Sequence, residues 1–429
     1  LNNPTIFLSA GEASGDHYGA QLIASLRQEL PKAKFTGLGG AEMDLAGQAR
    51  TVRAEDVAVM GITEILLHVS RIFRSYRRLV AEIKRNRPDI AVLIDFPDVN
   101  FRLAKHLHRA GVPVFWFVSP QLWAWKRSRL RWVQQRVSKM FVIFPFEEAF
   151  YRNRGVNATF VGHPLADLPL PTITREQFAA QNGLDPARGW IALLPGSRRI
   201  ELEANLPEMM GAARLLSTNF KAPESMIDFQ PLTNPRVQVA IEVLSEKERL
   251  ARGWWQFILP VASTLRREQV QAIIDRNQPL PTIYLVDNAR EALLHARASV
   301  VASGTATMQA ALIGNPFIVI YRVSKMTFRL AKRLIRYPPE IPVSEDERGN
   351  LPIAMPNLIA GRFIVPELLQ EHCNASEIAT TLNPLLADST QRLVQIGDLQ
   401  KLAHTLKRAD SSSAIDQIKT ALLNRLRPT

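Results

Sequence analysis

The sequence predicts an α/β protein made of two consecutive Rossmann-like domains. Three observations carry that expectation: strand-length runs that are apolar throughout, helical stretches between them, and small-residue turns where a run gives way to a helix. The 429 residues, 46% hydrophobic and 22% charged, suffice for more than one buried core and exclude a globally disordered chain. In the first domain the apolar runs are 6–10, 90–94, 112–118 and 140–144, with helices expected at 98–110 and 145–153. This domain is expected over 1–168. The stretch 169–187, which holds Pro169, Pro171 and Pro186, reads as a linker. A second domain, 188–385, repeats the pattern with runs at 190–194, 282–286, 298–302 and 316–321. Residues 215–280 follow no clear period. From about 375 the apolar spacing is helical, with Leu393, Ile396, Leu399, Leu402 and Leu406 as one series.

Lys and Arg number 53 against 40 Asp and Glu, a formal charge of +13, which favours an anionic partner. Nucleic acid is not expected, because no recognised binding motif occurs and the basic residues are dispersed over helices. The lone Cys373 excludes an internal disulfide and a cysteine-built zinc site. His106 and His108 stand two apart in a helical stretch and so face different ways, and no carboxylate pair suits a metal-bound diphosphate; no metal and no cofactor are expected. No stretch approaches the ~20 apolar residues of a membrane span, and the start lacks a signal-peptide pattern, so a cytoplasmic location is expected.

The turns carry the chemistry. Ser9-Ala-Gly-Glu12-Ala-Ser-Gly-Asp16 joins the first run to a helix, where small residues let a ligand approach the backbone, although such turns are also ordinary tight turns. It has neither the GxGxxG spacing nor the P-loop lysine. Asp95-Phe-Pro-Asp98 ends the second run. A carboxylate at a strand's carboxyl end is placed as a general base, and Asp is equally a good helix cap. In the second domain, Gly196, Ser197 and Arg198 follow the first run, and Ser303, Gly304, Thr305 and Thr307 follow the third. Amides at a helix start plus an Arg fork suit a diphosphate, and two such turns suggest a nucleoside diphosphate; the bland alternative makes Ser303 an N-cap. Trp123 and Trp125 stand beside Lys126, Arg127, Arg129 and Arg131, as sugar- or acyl-lining aromatics or as packing residues. Between 62 and 83, Ile62, Ile65, Leu66, Val69, Ile72 and Phe73 open a broad apolar face with arginines largely opposite. That pattern fits a helix packed on a sheet, and also an amphipathic segment resting on an anionic bilayer. A second basic stretch runs from Arg322 to Arg336.

Together, Ser9 to Asp16, Asp95 to Asp98, Ser119-Pro-Gln-Leu-Trp-Ala-Trp125, Gly162-His-Pro164, Leu194-Pro-Gly-Ser-Arg198, Ser303-Gly-Thr-Ala-Thr307 and Pro356-Asn-Leu-Ile-Ala-Gly-Arg362 resemble the lipid-A-disaccharide synthase family. The resemblance implies a GT-B glycosyltransferase with two facing Rossmann-like domains, acceptor on the first and nucleotide on the second, and with helices of 386–429 folding back on the first. It implies transfer from UDP-2,3-diacylglucosamine to 2,3-diacylglucosamine 1-phosphate (lipid X), with inversion, by a peripheral enzyme of the inner membrane. Asp98 falls on the family's catalytic base, Glu12 on the acidic residue of its first turn, Arg198 on its phosphate-contacting arginine and Asn357 on another nucleotide-site residue. Gln309 replaces the usual ribose-binding glutamate, Arg199 a glycine and Phe96 a small residue, and an acidic loop at 342–350 is extra. A homodimer is left open. The rival within the same architecture is a UDP-N-acetylglucosamine 2-epimerase, which needs no lipid-facing helix.

Overall fold

The computed structural model describes residues 3–56, 62–219, 254–277, 281–408 and 412–426, without the side chains of 62–69, 218 and 219. They form two compact units. One comprises Leu1–Leu168, Ile335–Ile341 and Thr405–Thr429, the other Pro169–Leu334 and Pro342–His404.

In the first unit, β1 (Thr5–Ala10), β2 (Lys34–Gly39), β3 (Ala49–Arg53), β4 (Ile90–Ile94), β5 (Val114–Phe117), β6 (Lys139–Val142) and β7 (Ala158–Phe160) make one parallel sheet in the order β3-β2-β1-β4-β5-β6-β7. β4 and β5 are buried along their whole length, as covering both faces of a parallel sheet requires. The sequence reading missed β2, β3 and β7 for local reasons. β2 is interrupted by Gly37 at φ +127, where a Cβ would lie 2.1 Å from the Leu8 carbonyl oxygen, so glycine lets β1 and β2 pair there. β3 is a short edge strand in which only Val52 is fully buried, and β7 is three residues long.

In the second unit, β8 (Gly189–Leu194), β9 (Trp255–Pro260), β10 (Ile283–Val286), β11 (Ala298–Ala302), β12 (Phe317–Tyr321) and β13 (Glu367–Leu369) form a parallel sheet in the order β10-β9-β8-β11-β12-β13. β9 and the helix Arg267–Arg276 lie in the stretch that showed no period. Residues 169–187 are more than a linker, because Thr174 opens a helix, Arg175–Asn182, with a capping box to Gln177. Arg175 donates to the carbonyls of Pro186, Arg188 and His295 and stacks 3.7 Å from the Trp190 ring; burial pulls its guanidinium down to about 10.

The C-terminal return begins later than 386. The helix Thr390–Leu406 is tied to the second unit, where Gln395 bonds both the N–H and the carbonyl of Phe317 and Arg362 pairs with Asp398 at 2.6 Å. Leu399 and Leu402 are buried, as is Leu406 where the chain has passed to the first unit, whereas Leu393 of the same series is exposed. Only from Thr405 does the chain join the first unit. The helix Ala414–Leu426 buries Ile418, Leu422 and Leu426 and packs beside the helix Ala13–Glu29.

Candidate active site

In each sheet the chain order reverses once, between β1 and β4 and between β8 and β11. Loops diverge at such a point and leave the carboxyl ends of the two strands open to a ligand. The four sequence turns fall on these ends.

At the first switch point Ala10 pairs with Ile94. Gly11 lies against the Phe96 ring, so close that a Cβ would stand 2.4 Å from it. Asp95 and Phe96 both hold left-handed backbone, at φ 44 and 49, which is costly for non-glycine residues. Asn100 pins this turn. Its side-chain oxygen accepts from Ser9 Oγ at 2.7 Å, and its Nδ2 donates to the carbonyls of Asp95 at 2.6 Å, Ile94 at 3.2 Å and Ser9 at 3.4 Å. The pinned turn presents two carboxylates differently. Asp98 stands in the first turn of the helix Pro97–Arg109, exposed, with Arg129 Nη1 3.1 Å away; it does not cap the helix, since that position is Phe96. Asp95 is largely buried, and desolvation, reinforced by the charge of Glu12, pushes its carboxyl up to about 6. Glu12 is exposed at the start of the helix Ala13–Glu29 and makes no capping bond. Burial, with the charge of nearby Asp95 adding to it, pushes Tyr18 up to about 12, so it stays a neutral phenol. Asp16 is structural: its carboxylate accepts from the amides of Gly40, Glu42 and Met43.

Trp123 does not line a surface. It is fully buried, packed edge-on to Phe146, and its indole N–H donates to Glu147 at 3.0 Å. Glu147 also accepts from Ser119 Oγ at 2.6 Å; burial pushes it up to about 7. Trp125, by contrast, is exposed, with Lys126 Nζ 3.9 Å over its ring. The helix Ile62–Arg85 buries Ser75, Leu79 and Ile83 against the sheet side, leaves Ile72 half-buried, and exposes Phe73 beneath the Arg77 guanidinium. The side chains of Ile62, Ile65, Leu66 and Val69 lie outside the described residues.

At the second switch point Leu194 pairs with Val301. Gly196, at φ +120, turns the chain so that the N–H groups of Ser197 and Arg198 converge on one spot, which the Glu201 carboxylate occupies at 3.1 and 3.3 Å; Arg198 Nη1 joins it at 3.3 Å. Two amides and a guanidinium around one carboxylate form an anion cradle. Thr264 Oγ1 donates to the Ser197 carbonyl and Asn205 Nδ2 to that of Pro195, bracing the loop. The helix Thr305–Ile313 opens on Gly304 with no side-chain cap, so Ser303 is not the N-cap; its N–H is bonded to the Ile320 carbonyl. Thr307 is buried and folds back onto the Gly304 carbonyl at 2.7 Å, while Ser303 and Gln309 are half-buried and Thr305 is exposed.

Asn357 is not a ligand contact in this arrangement. It is fully buried, its oxygen accepts from the N–H groups of Ile364 and Val365, and its Nδ2 donates to the Val365 carbonyl and Glu367. All four of its hydrogen-bonding positions are spent on holding the loop before β13.

Among the described residues, no group of three or more His, Cys, Asp or Glu side chains is placed to hold a metal ion, and no helix is long and apolar enough to cross a membrane.

Two doubly wound parallel units, each with turns open at its switch point, define the class: this is an α/β protein of GT-B architecture. The calicheamicin glycosyltransferase CalG4 shares the fold at a TM-score of 0.54 over 100% of both chains, at 14% identity. A Neisseria meningitidis UDP-GlcNAc 2-epimerase does so at 0.55 over 98% of this chain and 100% of that one, at 12% identity, so fold alone does not separate transferase from epimerase. Sequence does. A family model described as lipid-A-disaccharide synthetase matches residues 6–253 and 233–422. The lipid-A-disaccharide synthase of Acidobacterium capsulatum is 47% identical over 97% of this chain and 96% of its own length, and that of Koribacter versatilis 40% identical over 95% of each. The chain belongs to the lipid-A-disaccharide synthase family.

Proposed function

We propose that the chain transfers 2,3-diacylglucosamine from UDP-2,3-diacylglucosamine to 2,3-diacylglucosamine 1-phosphate, with inversion and release of UDP. The observation that carries this reading is the pairing, on a synthase-family chain, of an exposed switch-point carboxylate in the first unit with an anion cradle in the second. A sugar hydroxyl is a poor nucleophile until a base takes its proton. Asp98 accepts that proton as the acceptor oxygen bonds to the anomeric carbon, with Arg129 orienting the carboxylate and Glu12 and Asp95 completing the acidic lining of the turn. The bond from that carbon to the diphosphate oxygen breaks, and its electron pair leaves with UDP. The amides of Ser197 and Arg198, the Arg198 guanidinium and the start of the helix Thr305–Ile313 receive the growing negative charge. Ser303, Thr305 and Gln309 supply polar contacts for ribose or phosphate oxygens, and Thr307 and Asn357 hold the loops that present them.

The substrates are acylated, so the enzyme works at the inner-membrane surface. The segment 62–73, with Phe73 exposed, is its proposed lipid-facing element, and Trp125 with Lys126 lies in the same unit. The test is incubation with both sugar lipids dispersed in detergent and mass analysis for a tetraacyl disaccharide phosphate. Asp98→Ala should lower turnover ~100-fold or more with UDP affinity unchanged. Equal turnover in a folded Asp98→Ala protein, or conversion of UDP-N-acetylglucosamine without any lipid acceptor, would overturn the assignment.

A further inference from the structure

We infer that the helix Lys325–Leu334 of the second unit is a lipid-contact element that lies on an anionic bilayer surface. The inference deepens the proposed membrane association, extending it to an element in the other unit.

None of the ten residues of this helix is buried. Met326, Leu330 and Leu334 are 78%, 55% and 64% exposed. They are spaced four apart and form one continuous stripe along the helix. Arg329 and Arg333 border this stripe along one edge, Lys325 and Lys332 lie farther round the helix, and no Asp or Glu occurs between Arg322 and Pro339. Polar contacts hold the helix to its unit at its start, where Arg322 pairs with Glu208 at 3.2 Å, and near its end, where Lys332 donates to Asn350 at 3.2 Å; within the helix, Ser324 Oγ accepts from the Thr327 N–H at 3.1 Å. An isolated helix this short is marginal in water, so a fold that keeps one with its apolar stripe uncovered needs a partner for that stripe.

Charge selects the partner. In a two-fold contact with a second copy of the helix, the stripes would meet only by bringing the bordering Arg329 and Arg333 of both copies close together. A nucleic acid would answer the cations and leave the stripe in water. An anionic lipid surface answers both, as the stripe enters the acyl boundary and the basic side chains reach up to the headgroups.

The experiment is flotation of the full chain with vesicles of phosphatidylcholine alone or with phosphatidylglycerol added. Binding should require phosphatidylglycerol and weaken with salt. Arg329→Gln with Arg333→Gln should weaken it roughly 25-fold, at about fivefold for each cation near the surface. Leu330→Glu should weaken it at least tenfold, with the melting temperature and UDP affinity of the wild type, because Leu330 is exposed. Leu330→Glu protein that floats like the wild type overturns the inference. So does a Leu330→Glu protein that melts early or changes from dimer to monomer, since the stripe would then be covered by protein. If the wild type turns over detergent-dispersed substrates yet never floats, the inference fails and the transferase assignment stands. If it floats as expected and makes no disaccharide, the assignment fails and the helix result holds.

Discussion

Asn100→Ala separates the architecture of the first turn from its chemistry. The substitution removes the Ser9 Oγ contact at 2.7 Å and the donation to the Asp95 carbonyl at 2.6 Å, together with longer contacts at 3.2 and 3.4 Å. The two short bonds are buried or nearly so, and each is worth about 1 kcal/mol net, with a further ~1 kcal/mol or more for each group left unpaired. The 3.4 Å contact adds little. The loss should therefore be about 3 to 4 kcal/mol, as read from urea unfolding of the first unit. Ser9→Ala, which removes one hydroxyl and its single bond, should cost about 1 kcal/mol. Function should fall by a separate route. The left-handed backbone at Asp95 and Phe96 costs about 1 to 3 kcal/mol per residue and persists because Asn100 overdetermines it, so the released turn relaxes and Asp98 leaves its position. Turnover should drop at least tenfold in protein that is still folded, while calorimetry finds UDP affinity within twofold of wild type, since the cradle belongs to the other unit. A loss below 1 kcal/mol, or normal turnover, would refute the argument that Asn100 holds the turn.

Asp95→Asn should change stability with pH in a defined direction. Because the folded-state carboxyl is raised from 3.8 to about 6, ionising it costs folding free energy as pH rises through that window, up to ~3 kcal/mol at ~1.4 kcal/mol per unit. The variant should therefore melt higher than wild type at pH 8 and match it at pH 4; equal melting temperatures at both would show that the carboxyl is not desolvated. Arg198→Ala should weaken UDP binding by about 1.5 to 3 kcal/mol, the scale of a hydrogen bond to a charged group, and unchanged calorimetric affinity would remove this arginine from the nucleotide site. Glu201→Gln should tighten UDP binding severalfold, because the carboxylate that fills the cradle would no longer compete for its donors; weaker binding would instead make Glu201 a positioning residue. Gly11→Ala should destabilise the first unit by ~1 to 3 kcal/mol, since its methyl would meet the Phe96 ring, and a neutral result in thermal melts would mean that the ring has room to move.

Local sequence was enough for the parallel core and for where its turns carry chemistry. Strands such as Ile90–Ile94 and Ala298–Ala302 are apolar at every position because both faces are covered, and that pattern is written in consecutive residues. Small residues followed by a helix mark Gly11 and Gly196 in the same way. β2 and β3 escaped because a glycine break and an edge position erase the apolar run, although pairing with β1 supplies what the residues lack. Side-chain roles depended on partners far along the chain. Asn100 meets Ser9 across 91 positions, and Trp123 turns inward because Glu147, 24 positions later, accepts its indole N–H. Asn357 is spent on residues 364, 365 and 367, which no periodicity could pair with it. Asp95 and Asp98 are the same residue type three apart; one is desolvated beside Glu12 and the other stands in water against Arg129, a difference set by which strand end and helix turn each occupies. Helix amphipathicity divides likewise. The same pattern of apolar stripe and basic residues is buried on a sheet at Leu79 and Ile83 and left open at Met326, Leu330 and Leu334, because burial depends on what packs against a face and not on the face itself.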